Sequence, residues 1–178
     1  MATLYLFGCA APPVLDISGV IEEAQGRGWD VCLGLTPTAA RWLGDALPAL
    51  EELTGHPVRW EYKLPGEVDV WPWADAILVA PATFNSVNEW ALGLTSKFVV
   101  GVAAEGIGKR IPTVAMPCVN AAYVQHPQFD LSVATLRGAG VTVLYGPGGF
   151  VPNEPGERRP YLWHHALDAV GAIVSPAS

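Results

Sequence analysis

A single α/β domain, with a mainly parallel sheet between two helical layers, is the fold class that this sequence predicts, and three observations predict it. Short apolar runs at residues 3–7, 30–35, 77–80 and 111–118 read as strands covered on both faces. Between them, apolar residues recur at helical spacing, so strand and helix alternate and the strands run parallel. Loops of small and hydroxyl residues follow the strands, on the edge where such sheets bind ligands.

Strand 3–7 enters the loop 8–13, whose small residues let backbone approach a ligand, and Pro12 or Pro13 suits the first turn of a helix. Val14, Ile17, Ile21 and Ala24 mark that helix's buried face, and Gly26 and Gly28 end it. Strand 30–35 leads straight to Thr36-Pro37-Thr38. This helix start is either a plain N-cap or part of a phosphate site. Ala39, Trp42, Leu43 and Leu47 continue the helix, Pro48 interrupts it, and 53–55 make a further short turn. Residues 58–60 read as a short strand, and 63–70 as a Pro/Gly-containing loop with Glu67 and Asp69.

The stretch 77–94 organises the rest. Pro81 cannot donate to a ladder, so the strand is expected to stop there. Val87, Trp90, Ala91 and Leu94 then recur at i, i+3, i+4 and i+7, the stripe of a helix packed on the sheet. Residues 98–104 read as helical packing or a buried connection. Asn120 and His126 follow strand 111–118 on the ligand-binding edge. Phe129, Val133 and Leu136 mark a helix closing at Gly138, 141–145 a final strand, and the Gly/Pro-rich 146–160 a flap. Leu162, Ala166, Val170 and Ile173 define a last helix, with 175–178 a frayed tail. The whole is a Rossmann-like, flavodoxin-like three-layer sandwich in one domain, residues 1–178.

Composition narrows the function. A net charge of −7 and no basic stripe argue against nucleic acid. No apolar run is long enough to span a bilayer and the N-terminus has no basic region, which points to the cytoplasm and to no membrane partner. Cys9, Cys32 and Cys118 are odd in number and set in apolar runs, so free buried thiols are expected and no metal site. Seven tryptophans and a mean hydropathy of +0.29 point to apolar surface covered by another subunit. Neither G-x-G-x-x-G nor G-x-x-x-x-G-K-[ST] occurs, so a mononucleotide such as FMN fits the small-residue loops better than a dinucleotide or nucleoside triphosphate. His56, His126, His164 and His165 show no triad pattern, which speaks against a hydrolase.

The run Trp73-Ala-Asp-Ala-Ile-Leu-Val-Ala-Pro-Ala-Thr-Phe-Asn-Ser-Val-Asn-Glu-Trp-Ala-Leu-Gly93 resembles the W-A-D…P-A-S-A-N-T…G signature of the homo-oligomeric flavin-containing cysteine decarboxylases. Met116-Pro-Cys-Val-Asn-Ala-Ala-Tyr-Val-Gln-His-Pro127 is similar to that family's P-A-M-N-x-x-M-W-x-x-P. The resemblance implies FMN, with Thr83, Asn85 and Ser86 on its ribityl and phosphate groups and Gly8, Ala10, Thr36 and Thr38 completing the phosphate site. Pro81, Ala82 and Met116 join the cofactor-binding set by the same resemblance. It also implies a homotrimer or higher oligomer with the cofactor at a subunit interface.

Three departures from the family pattern bear on activity. Glu67 stands where the decarboxylases carry a histidine, and a carboxylate (reference pKa about 4.3 against about 6.5) is charged at neutral pH unless burial raises it. The flap lacks the family's cysteine, and Ser96-Lys97 replaces a G-D/N pair. The expected function is therefore an FMN-dependent oxidoreductase acting on a small molecule or peptide, with Asn120 holding a carboxylate or amide and Glu67 as acid/base. Oxidative decarboxylation of a cysteine-containing substrate, or flavin binding without catalysis, are the alternatives.

Overall fold

The computed structural model describes residues 1–154, 157 and 159–174. Five strands, β1 (Ala2–Gly8), β2 (Trp29–Leu35), β3 (Ala76–Ala82), β4 (Thr113–Pro117) and β5 (Thr142–Val143), form one parallel sheet in the order β2-β1-β3-β4-β5. Chain order reverses between β1 and β3, which opens a crevice beyond their carboxyl ends.

Alternation along each strand divides the core in two. Leu4, Leu6, Val31, Leu33, Leu78 and Met116 face α1 (Ile17–Gly26), α2 (Pro37–Leu43), α3 (Leu47–Thr54) and α7 (Trp163–Val174). Phe7, Ile77, Val79 and Ala115 face α4 (Phe84–Ala91), α5 (Phe98–Gly108) and α6 (Pro127–Gly138). Each fully buried leucine or isoleucine in these layers contributes about 1.5–3 kcal/mol of apolar transfer. Gly34 is required on β2, because a Cβ there would lie 2.6 Å from the Phe7 ring. Among the described residues no helix is long and apolar enough to cross a membrane.

The structure corrects several sequence expectations. β3 does not stop at Pro81 but runs to Ala82; the missing N–H falls where the register against β4 already shifts, and the Ala80–Pro81 peptide is cis. Pro48 does not interrupt a helix. The break comes at Gly44 (φ +31°), and Pro48 sits in the first turn of α3, where its lost N–H has no partner to lose. Residues 58–60 pair at a single bridge, Arg59 beside Gly34, rather than as a strand. Leu94 falls beyond Gly93 (φ +72°), which turns the chain out of α4, and is exposed; Leu162 precedes α7 and is exposed too. Residues 98–104 are helical, the first part of α5. The flap holds one bridge, Tyr145 with Phe150; its Pro155, Gly156 and Arg158, and the tail 175–178, lie outside the described residues. All three cysteines are free, Cys9 and Cys32 buried and Cys118 only partly so.

Candidate flavin cleft

The strand ends are tied together before any side chain is considered. Thr36 N–H donates to Gly8 O (3.0 Å), Cys9 N–H to Pro81 O (3.0 Å), and Cys118 N–H to Ala82 O (2.8 Å). Four loops, after β2, β1, β3 and β4, are thereby held side by side. They surround a cleft of about 590 Å³, within the range of cofactor sites.

The cleft brings together Ala10, Thr36, Thr38, Thr83, Asn85, Ser86 and Asn120, as the sequence predicts. Gly8, Pro81, Ala82 and Met116 do not line it. They are buried behind its floor: the Gly8, Pro81 and Ala82 carbonyls hold the neighbouring loops, and the Met116 carbonyl accepts the Tyr161 hydroxyl. Gly8 has a packing reason to be small, since a Cβ would meet Val14 at 2.8 Å. Glu67 is not brought to the cleft of its own chain. It is exposed, its carboxylate accepts the Leu64 amide (2.9 Å), and it borders a separate hollow with Val58, Trp60 and Val70.

Thr36 and Thr83 are the N-caps of α2 and α4, accepting from the Ala39 and Ser86 amides. Thr83 Oγ1 also donates to Ser86 Oγ (3.1 Å). Ser86 is buried, and burial pushes up the pKa of the nearby Cys9 thiol. These hydroxyls therefore fix the turn. The free donors it presents are the leftover amides of the first turn of α4 and the exposed Asn85 side chain. Asn120 Oδ1 accepts the Tyr123 amide (2.8 Å), which leaves its Nδ2 as a donor.

Several lining residues escape the sequence pattern. Tyr123 stacks on Phe84 (centroids 4.7 Å apart, planes at 21°) and gives the cleft an aromatic wall. Trp42, half exposed on α2, forms part of the mouth, with Phe150 and Asn153 from the flap. Cys118 lines the cleft with a thiol pushed up to about 11 by burial, so it is neutral at physiological pH. Lys97 is the one charged residue of the lining among the described residues, its Nζ 2.8 Å from both carboxylate oxygens of Glu89. The sequence marks Lys97 as an altered position but gives no sign that it enters this wall. His126, placed on the ligand side by the sequence, caps α6 instead: Nδ1 accepts the Gln128 amide (3.1 Å).

Amide and hydroxyl donors, a stacked aromatic wall, and the lack of an acid among the described lining residues suit a ligand with an anionic end and a flat ring system. A flavin mononucleotide has both, so the residues present fit the group.

Comparison with known proteins bears on the same point. The bifunctional coenzyme A biosynthesis protein CoaBC of Escherichia coli (strain K12) is 25% identical over 154 residues, covering 75% of this chain. The chain spans only 35% of that protein's length. Among solved structures, the FMN-dependent cysteine decarboxylase SpaF superposes with a TM-score of 0.73 at 22% identity, over 98% of each chain. The peptidyl-cysteine decarboxylase EpiD gives 0.69 at 18%, over 96% of this chain and 99% of its own. MrsD from Bacillus sp. HIL-Y85/54728 gives 0.71 at 18%, over 98% and 96%. These likenesses establish a shared fold. The model of the Flavoprotein family matches residues 14–161, from the first buried turn after β1 to the end of the flap, and with this match the chain belongs to the flavoprotein family.

Proposed function

We propose that the cleft holds FMN and that the chain is an FMN-dependent enzyme oxidising a small molecule or peptide, with decarboxylation of a cysteine-type carboxylate as its reaction. The observation that carries this reading is the convergence of Thr36, Thr83, Asn85, Ser86 and Asn120 from separate strand ends on one cleft that has no acid among its described lining residues. Solved relatives of this fold are named as FMN-dependent cysteine decarboxylases, which supports the choice of reaction.

Bound FMN would supply a two-electron acceptor. A cysteine-type substrate would give up a hydride from Cβ to that acceptor and its thiol proton to solvent, and would then lose its carboxylate as carbon dioxide, the C–C bonding pair remaining on an enethiolate product. On this reading Asn120 holds the carboxylate through Nδ2, since Oδ1 is already committed to Tyr123. The Phe84–Tyr123 pair excludes water from one wall, and the flap residues Phe150 and Asn153 close the mouth. The reading includes a homotrimer or higher oligomer, supported by the exposed Leu92 and Leu94. In such an assembly Glu67 takes an acid/base role only toward a neighbouring copy's cleft.

The test is direct. Purified protein is expected to be yellow or to take up added FMN, and a peptide ending in cysteine is expected to lose the mass of carbon dioxide and two hydrogens. Loss of two hydrogens alone would identify plain oxidation, the second reading. A colourless protein that takes up no FMN overturns both.

A further inference from the structure

On the α5 face of the sheet lies a second hollow, of about 370 Å³, walled by Tyr5, Tyr62, Trp71, Trp73 and Phe98 around Arg59. Its walls are fixed by hydrogen bonds to distant backbone. Trp71 Nε1 donates to Pro57 O (2.9 Å), Tyr5 Oη to Pro72 O (2.7 Å) and Tyr62 Oη to Thr95 O (2.7 Å). Arg59 is held at its backbone by two bonds to β2, its N–H to Leu33 O and its carbonyl from Leu35 N. Its guanidinium carbon lies 4.2 Å from the centre of the Phe98 ring and 5.4 Å from that of Trp71, within cation–π range of both.

Among the described residues the charges around the hollow are paired except this one. Lys63 bonds to Asp69 (2.9 Å) and Lys109 to Glu105 (2.7 Å). Among the described residues the Arg59 guanidinium makes no ion pair and donates no hydrogen bond. A planar cation stacked on rings, with its N–H fork unpartnered, presents the geometry that takes a carboxylate in two parallel bonds. The hollow therefore carries a local excess of positive charge on a chain whose net charge is −7.

We propose that this hollow is a second binding site, distinct from the flavin cleft, for a small aryl or indolyl carboxylate. The Arg59 fork takes the carboxylate, and Trp71, Tyr5 and the exposed Trp73 enclose the ring. Aromatic walls alone would accept a neutral or cationic ring as well; the unpaired guanidinium selects the anion. The inference does not depend on the cofactor reading, because the cleft and the hollow share no lining residue.

The experiment is calorimetric titration of the full-length protein, saturated with FMN where it binds, with indole-3-acetate, its neutral amide and tryptamine. Indole-3-acetate is expected to bind at least about tenfold tighter than either, the size of a charge-assisted contact. Arg59→Met, which keeps an apolar stem on Phe98, is expected to abolish that preference while leaving amide binding within about threefold. Unaltered thermal melting shows that Arg59→Met is folded, and Arg59→Lys, which keeps the charge but not the fork, is expected to recover part of the preference. Equal binding of acetate and amide, or a preference that survives Arg59→Met, overturns the proposal. So does sedimentation showing that the hollow is closed by a second copy of the chain and that Arg59→Met opens that contact.

Discussion

The flavin cleft and the Arg59 hollow are built by different means. The cleft is made by topology: parallel strands end together, their carbonyls lock the neighbouring loops, and short side chains cap the helices that follow. The hollow is made by a long connection, 55–75, folded back so that aromatic rings from β1, the loop and α5 meet. A site of the first kind presents donors at positions that the backbone dictates. One of the second kind depends on side chains far apart in sequence, and on each ring keeping its place.

That contrast breaks most strongly at Phe98, which packs against Phe7, Tyr62, Trp71 and the Arg59 guanidinium. Phe98→Ala is expected to cost about 3–5 kcal/mol in denaturant unfolding, since a buried aromatic leaves a cavity its neighbours fill only in part. A loss under about 1.5 kcal/mol would mean that the rings of the hollow collapse freely and are not held. The reciprocal variant is Asn85→Ala. Asn85 is exposed, so stability is expected to move by no more than about 0.5 kcal/mol. FMN affinity, followed by quenching of flavin fluorescence, is expected to fall about tenfold or more, as for loss of a hydrogen bond to a charged group. Unchanged affinity would remove Asn85 from the site.

The same contrast explains what the sequence reveals. Strand and helix order follow from periods of two and 3.6, and the cleft follows from them, because parallel strands must finish on one edge. Thr36, Thr83, Asn85 and Asn120 were readable for that reason. Tyr123, Trp42 and Lys97 were not: each reaches the cleft from the flank of an element, and no local pattern records which flank faces a neighbour. Gly8 and Met116 fall outside the lining because a small residue or a strand residue near the edge can serve packing equally well, and here they meet Val14 and Tyr161. The clustering of Tyr5, Trp71 and Phe98 around Arg59 has no local sequence signal at all. Their separation is too long for any period, and only the folded connection unites them.

A smaller effect separates capping from ligand binding at the turn itself. Thr83→Val keeps the shape but removes the oxygen that accepts the Ser86 amide and donates to Ser86 Oγ. It is expected to cost about 1 kcal/mol of stability, the usual worth of an N-cap. Thr83→Ser, which retains the cap, is expected to restore it. Recovery of stability without recovery of FMN affinity would show that the Thr83 methyl group also contacts the ligand.

The smallest effect is a pH dependence, and it sets the two regions side by side. Burial raises the Cys118 thiol in the cleft from an ordinary 9.0 to about 11, and the Tyr5 phenol in the hollow from 10.0 to about 12. In both cases the folded state keeps a proton that the unfolded chain loses first. The stability contributed by the neutral group is therefore complete below the ordinary pKa and is lost as pH rises through the folded one. For Cys118 that window runs from 9.0 to about 11, and for Tyr5 from 10.0 to about 12. Denaturant midpoints should fall across this alkaline range, and Cys118→Ser should flatten the earlier part of the fall while leaving the later part, to which Tyr5 contributes. Alkylation of Cys118 by iodoacetamide should likewise be slow at neutral pH and accelerate toward about 11, and bound FMN should suppress it because the thiol lines the cleft. Alkylation unaffected by FMN would place the flavin away from Cys118. Occupation of the hollow by indole-3-acetate, by contrast, should leave Cys118 reactive, since the hollow and the cleft share no lining residue.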